Sequence, residues 1–182
     1  SFPTRRSSDL APTQPFSELT FRPEAKLTGA DMWGGTIFDQ LLCRIMFHQL
    51  RYEGTFTPPS LQGTLVFPGN LGMFEWGGIA VDPVRQIAIA NPMSLPFRSR
   101  LIPRGPQNPP APTAEKPVGS EVGTQPMYGT PFGVDISSFL SPLSVPCYRP
   151  PWGSMAAIDL RTMKIVWQHP NGTRSEEHTS EL

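Results

Sequence analysis

Apolar residues recur along this chain with two different periods, and a long stretch carries neither. Phe38, Leu41, Leu42, Ile45, Met46 and Leu50 fall at helical spacing, and Thr36 stands three residues before Asp39 as a capping-box-like start. The pattern predicts one α-helix over about residues 37–50, its apolar stripe used for packing, with His48 and Arg51 near its polar side as solvated or locally bonded residues. After the TPPS turn the period shortens to two. GTLVFPG, WGGIAVDP and RQIAIANP read as short strands. Ile79, Val81, Ile87 and Ile89 flank Asp82-Pro83-Val84-Arg85, which has the chemistry of a tight turn, so an antiparallel pair ending at Asn91 is expected. Residues 92–151 then hold fourteen prolines and no lasting period, which predicts a long excursion over the surface of something larger. Regularity returns in SMAAIDLRTMKIVWQHP, with Ala157 and Ile158 in one strand, Arg161 to Lys164 in a turn and Ile165 to Trp167 in the next strand.

Composition narrows the class. With 23 prolines and 16 glycines among 182 residues, long helices are forbidden through much of the chain, and loops and short strands must dominate. Fifteen Lys and Arg balance fifteen Asp and Glu, so no basic face is available to hold nucleic acid. No apolar run approaches the ~18 residues of a membrane span, and no signal-peptide pattern is present; if the parent protein is exported, that signal lies outside this chain. Cys43 and Cys147 fit neither a metal-knuckle spacing nor a disulfide-dense framework. Two buried, unreactive thiols are favoured over a disulfide, with the pairing left open. Asp39 and Asp82 fit helix and turn roles, and no acidic residue is assigned catalysis.

Both ends read differently from the rest. Residues 1–10, SFPTRRSSDL, and 174–182, RSEEHTSEL, back-translate into sequences that resemble a pair of sequencing-library adapters. The stretch for Arg6 to Leu10 ends GCTCTTCCGATCT, and that for Arg174 to His178 begins with its inverse complement, AGATCGGAAGAGC. These ends are therefore expected to be adapter-derived tails, and residues 11–173 an internal fragment truncated on both sides.

Ala157, Asp159, Thr162, Lys164 and Trp167 match the spacing of the tryptophan-docking motif of quinoprotein propellers, AxDxxTGKxxW, with Met163 where that family prefers glycine. ADMWGGTIFDQLLCRIMFHQLRYEGTFTPPS, GTLVFPGNLGMFEWGGIAVDP, IAIANPMSLPF, LIPRGP and FLSPLSVPCYRPPWG extend the likeness over nearly all of 11–173. On these segments the chain resembles the membrane-bound glucose dehydrogenases that use pyrroloquinoline quinone (PQQ), within the glucose/quinate dehydrogenase family of quinoproteins.

The resemblance implies an all-β fold: about two blades of an eight-bladed β-propeller, with one inserted α-helix and long Pro-rich loops. It implies a parent oxidoreductase on the periplasmic side of the bacterial inner membrane, held there by an anchor absent from this chain. Such an enzyme oxidises an aldose, D-glucose to gluconolactone, with PQQ and a divalent cation, Ca or Mg, and passes electrons to ubiquinone. Asn91, in IAIANPM, matches the family asparagine near the cofactor; a turn role before Pro92 is its alternative. Trp76, in FEWGG, matches a pocket-lining tryptophan region, with packing as the alternative, and Asn70, in PGNLG, is a weaker cofactor-binding candidate than a turn residue. The family's catalytic aspartate, its lysine partner and the histidine and aspartate of later blades match no position here, so no catalytic residue and no metal ligand is assigned. Two rival readings remain: a quinate/shikimate or polyol dehydrogenase of the same fold, and a non-enzymatic propeller scaffold.

Overall fold

The structure, a computed structural model, describes residues 19–23, 25–74, 78–105, 122–127 and 129–171. The expected tails at 1–10 and 174–182 lie outside them.

Helix α1 spans Ile37–Gln49, as the 3.6-residue period predicts. Thr36 caps it, its Oγ1 accepting the Asp39 N–H at 3.1 Å, while Asp39 Oδ2 accepts from Gly35 N–H at 2.9 Å. The reciprocal bond of a capping box is thus present but shifted one residue upstream. At the other end the Gln62 side-chain amide donates to the Gln49 carbonyl at 2.8 Å, satisfying one of the orphan acceptors. The face the helix buries is not the expected one. Asp39, Cys43 and Phe47, spaced i, i+4, i+8, point into the protein, whereas Ile37 is 83% exposed, Phe38 79%, and Leu41, Leu42 and Ile45 are also exposed. The expected stripe is thus only partly a packing face: Phe38, Leu41, Leu42 and Ile45 are exposed, while Met46 and Leu50 pack against the buried cluster around Cys43 and Phe47.

Among the described residues eight strands form two four-stranded antiparallel sheets. In the first, β2 (Ile79–Asp82), β3 (Ile87–Ala90), β7 (Gly153–Asp159) and β8 (Lys164–Asn171) lie side by side in chain order, the meander of a propeller blade. Both hairpins form where the alternation and turn chemistry place them. Asp82 Oδ1 accepts from the N–H groups of Val84 and Arg85, each at 2.9 Å, and Asp159 Oδ1 accepts from Arg161 N–H at 2.8 Å. Between β3 and β7 runs the proline-rich excursion, and here the expectation needs correction: it is not without regular structure. β4 (Phe97–Pro103), β5 (Gly123–Gln125) and β6 (Phe132–Ser138) join the earlier β1 (Thr64–Val66) in a second sheet of order β1-β4-β6-β5. These strands were hidden because β4 buries Phe97 and Ser99, an apolar and a polar residue, and β6 buries the adjacent Gly133 and Val134, so neither shows an alternation of hydropathy. Arg104, just past β4, gathers the chain before β6, its guanidinium donating to the carbonyls of Pro126, Met127, Thr130 and Phe132.

Two cores result. The larger joins Leu27, Met32, Cys43, Phe47, Leu65, Phe67, Phe139, Cys147 and Tyr148; the smaller lies on the blade, where Ala88, Ala90 and Ile158 meet Leu19, Phe21 and Leu160. At the centre of the larger one Cys43 and Cys147 form a disulfide across 104 residues, their Cα atoms 5.4 Å apart. This overturns the expectation of two free buried thiols. Distance in sequence carries no information about pairing when the intervening chain folds back on itself, as it does here through both sheets. No helix among the described residues is long and apolar enough to cross a membrane.

Candidate functional site

The candidate residues lie on two chain segments that run against each other beside the blade. Residues 69–74 and Gly78 face residues 91–95 in antiparallel sense: Gly69 N–H donates to the Leu95 carbonyl at 2.8 Å, Met93 N–H to the Met73 carbonyl at 2.8 Å, and Asn91 N–H to the Gly78 carbonyl at 2.8 Å. On the far side Ser154 N–H donates to the Pro92 carbonyl at 2.9 Å and Ser94 N–H to the Trp152 carbonyl at 2.7 Å. Residues 91–94 are thus held on both flanks by backbone bonds, which gives a segment without regular structure the rigidity of a strand.

Asn91 directly follows β3, is exposed, and has a carboxamide that bonds to no described residue. It therefore offers one carbonyl oxygen and two N–H donors to a ligand. Asn70 lies in a turn closed by Gly72 N–H donating to the Gly69 carbonyl at 2.9 Å, so a turn role is present at that position. Trp76 lies outside the described residues, in the stretch between Phe74 and Gly78. The structure thus brings the Asn70 and Asn91 segments together and leaves Trp76 untested. Gly69 is required for this approach: a Cβ there would sit 2.2 Å from the Phe97 ring and 2.8 Å from the Leu95 carbonyl oxygen.

Next to Pro92 and Ser94 opens a cavity of about 310 Å³ that Arg22, Arg149, Ser154 and Gln168 also line. Gln168 donates to Ser154 Oγ at 2.7 Å, and Arg149 lies 3.8 Å from Asp31. Two guanidinium groups here suit a carboxylate-bearing ligand. Arg149 lies in the segment FLSPLSVPCYRPPWG but is not singled out there by the sequence, and Arg22, which donates to Thr55 Oγ1 at 2.9 Å, lies far from it in the chain, so only the fold brings the two to one cavity. Among the described residues no group of three or more His, Cys, Asp or Glu side chains could hold a metal ion. The described part can therefore supply an amide oxygen to a hard cation but not a whole coordination shell.

The electrostatics of the acidic residues are local. Asp82 is held below the ordinary carboxylate range by the backbone and side-chain hydrogen bonds of Arg85, and Asp159 by those of Arg161. Burial pushes the Asp39 carboxyl up, but hydrogen bonding to Ser141, Gly35 and Leu143 outweighs it and the net direction is down, although Oδ1 lacks a bond of full geometry. None of the three is a proton acceptor poised near neutrality.

The docking hairpin has the geometry its spacing calls for. Ala157 and Trp167 face each other across β7 and β8, Lys164 opposes Asp159, and Met163, at the glycine position, has φ 54°. Trp167 remains 38% exposed, its ring 5.4 Å from that of His169.

Comparison with known proteins agrees with this architecture. The chain is 65% identical over 165 residues to the quinoprotein glucose dehydrogenase of Escherichia coli (strain K12), covering 90% of this chain and 21% of that protein. It is 59% identical over 170 residues to the enzyme of the same name from Gluconobacter oxydans (strain 621H), again 90% of this chain and 21% of the relative. The probable quinate dehydrogenase (quinone) of Xanthomonas campestris pv. juglandis is 45% identical over 164 residues, with the same shares of 90% and 21%. The chain thus spans about a fifth of the length of the curated relatives it matches. No solved structure matches it. The glucose/ethanol/alcohol dehydrogenase β-propeller domain of the PQQ type matches residues 4–182. A blade in meander order, a docking hairpin with Ala157 opposite Trp167, and a match over almost the whole length place this chain in the PQQ-dependent dehydrogenase β-propeller family.

Proposed function

We propose that residues 11–173 form an arc of the propeller of a PQQ-dependent aldose dehydrogenase, and that 1–10 and 174–182 are adapter-derived tails with no part in it. The parent oxidises D-glucose to gluconolactone at the periplasmic side of the inner membrane and passes electrons to ubiquinone. The observation that carries glucose over quinate is the gradient of identity, 65% and 59% to glucose enzymes against 45% to a quinate enzyme. A buried disulfide supports folding in an oxidising compartment.

When bound, the quinone supplies the two-electron chemistry, and the protein supplies placement and electrostatics. Asn91 is the residue of this chain best suited to touch it. Its backbone is fixed by Gly78, and its carboxamide is free to accept from the cofactor or to offer an oxygen to Ca or Mg. Asn70 belongs to the facing segment, and it and Trp76 are the pocket-wall candidates. The dye-linked activity of the full-length protein, supplied with PQQ and a divalent cation, tests the reading: turnover with D-glucose but not with quinate supports it, and the reverse preference overturns the substrate assignment. The isolated 182-residue chain should show no glucose-dependent dye reduction, because one arc leaves the axial site open.

A further inference from the structure

We propose that the Cys43–Cys147 disulfide is a structural clamp that fixes the rotation of α1, so that this half of the fold is completed only by oxidation. Three observations carry it. The helix docks by Asp39, Cys43 and Phe47, while the larger apolar set, Ile37, Phe38, Leu41, Leu42 and Ile45, faces outward. Without a covalent tie, the narrow inner face of α1, Asp39, Cys43 and Phe47 with Met46 beside them, would hold the helix only loosely against the larger core. The cross-link leads from the middle of α1 to a strongly held residue: Cys147 N–H donates to the Phe139 carbonyl at 3.0 Å, and its carbonyl accepts from Trp33 N–H at 3.2 Å. Both sulfur-bearing residues are fully buried in the larger core, as are Met32 and Leu65, so a soluble thiol cannot reach the bond in the folded state.

The step is a thiol–disulfide exchange. The Cys43 and Cys147 thiols lose two protons and two electrons as their S–S bond forms, and a protein disulfide of the exporting compartment takes them up, its own S–S bond becoming two thiols. Because the bond is shielded, it serves structure and does not shuttle electrons in turnover.

The test uses the full-length protein. Denatured without reductant, it should offer no alkylatable thiol at Cys43 or Cys147, and proteolysis should release the two as one linked peptide. In a Cys43→Ala, Cys147→Ala variant, amide hydrogen exchange in α1 should quicken at least tenfold while the β7–β8 hairpin keeps its protection. Two free thiols in the unreduced protein overturn the proposal, and so does α1 protection equal to wild type in the double variant. The thiol count decides alone if the variant does not fold. Neither result depends on substrate, so the clamp can fail while the enzymatic reading stands, or the reverse.

Discussion

Met163 sits at φ 54° in a turn where its family prefers glycine, with its side chain half exposed. Left-handed backbone costs a non-glycine residue about 1 kcal/mol or more, partly offset by the greater freedom glycine gains when unfolded. Met163→Gly should therefore raise stability by about 0.5–1 kcal/mol in a denaturant titration; a loss would mean the methionine makes a contact the turn depends on. Gly69 is the opposite case. Its hydrogen atom faces a carbonyl oxygen and a buried ring, so Gly69→Ala should cost about 1–3 kcal/mol and loosen residues 69–74 against 91–95. Asn91 was legible as a site residue only through its place in IAIANP, and the structure adds why it is available: its backbone is tied and its carboxamide is not. Arg22 and Arg149 were not legible, because their proximity is produced by tertiary folding alone.

At the level of elements, the periods of 3.6 and 2 found α1, the β2–β3 hairpin and the β7–β8 hairpin with errors of a residue or so. They failed on β4, where Ser99 takes a buried position, and on β6, where the buried pair is Gly133 and Val134, and prolines crowd the flanks of both. They also read the buried face of α1 only in part: Met46 and Leu50 pack as the stripe predicts, but Phe38, Leu41, Leu42 and Ile45 are exposed and the disulfide-bonded Cys43 and the buried Asp39 lie on the inner face instead. The disulfide closes a loop of 104 residues, and in the chain-entropy account a loop of about that size is worth about 4.7 kcal/mol. The double alanine variant should thus lose about 2–5 kcal/mol, read from its denaturation midpoint. Acid should weaken the two hairpins together. Asp82 and Asp159 have carboxyl groups held below their ordinary value of 3.8 by arginine and backbone donors, so the stability they add is present above about pH 4 and is lost as pH falls through their lower folded values. Melting temperature should hold steady from pH 7 to about 5 and drop below 4, and Asp159→Asn should flatten part of that drop. An unchanged acid limb in the variant would assign the loss to other groups.

Across the whole molecule, one sheet in meander order is a blade, and its outer features make sense only beside further blades. Trp167 is paired with Ala157 yet exposed, and β2 and β8 are open sheet edges of the kind a closed ring protects by repetition. The family and its blade could be seen in the sequence because the docking hairpin is local, its residues lying within eleven positions of one another. The candidate site was only partly visible, because its residues Asn70 and Asn91 lie on segments distant in the chain that only the fold brings together. The central proposal, that residues 69–74 and 91–95 form part of the cofactor wall with Asn91 on it, is tested most directly by titrating PQQ into the full-length apoprotein and its Asn91→Ala variant. The account predicts at least a tenfold weaker Kd with an unchanged melting temperature of the apoprotein; equal affinity in the two proteins would contradict it.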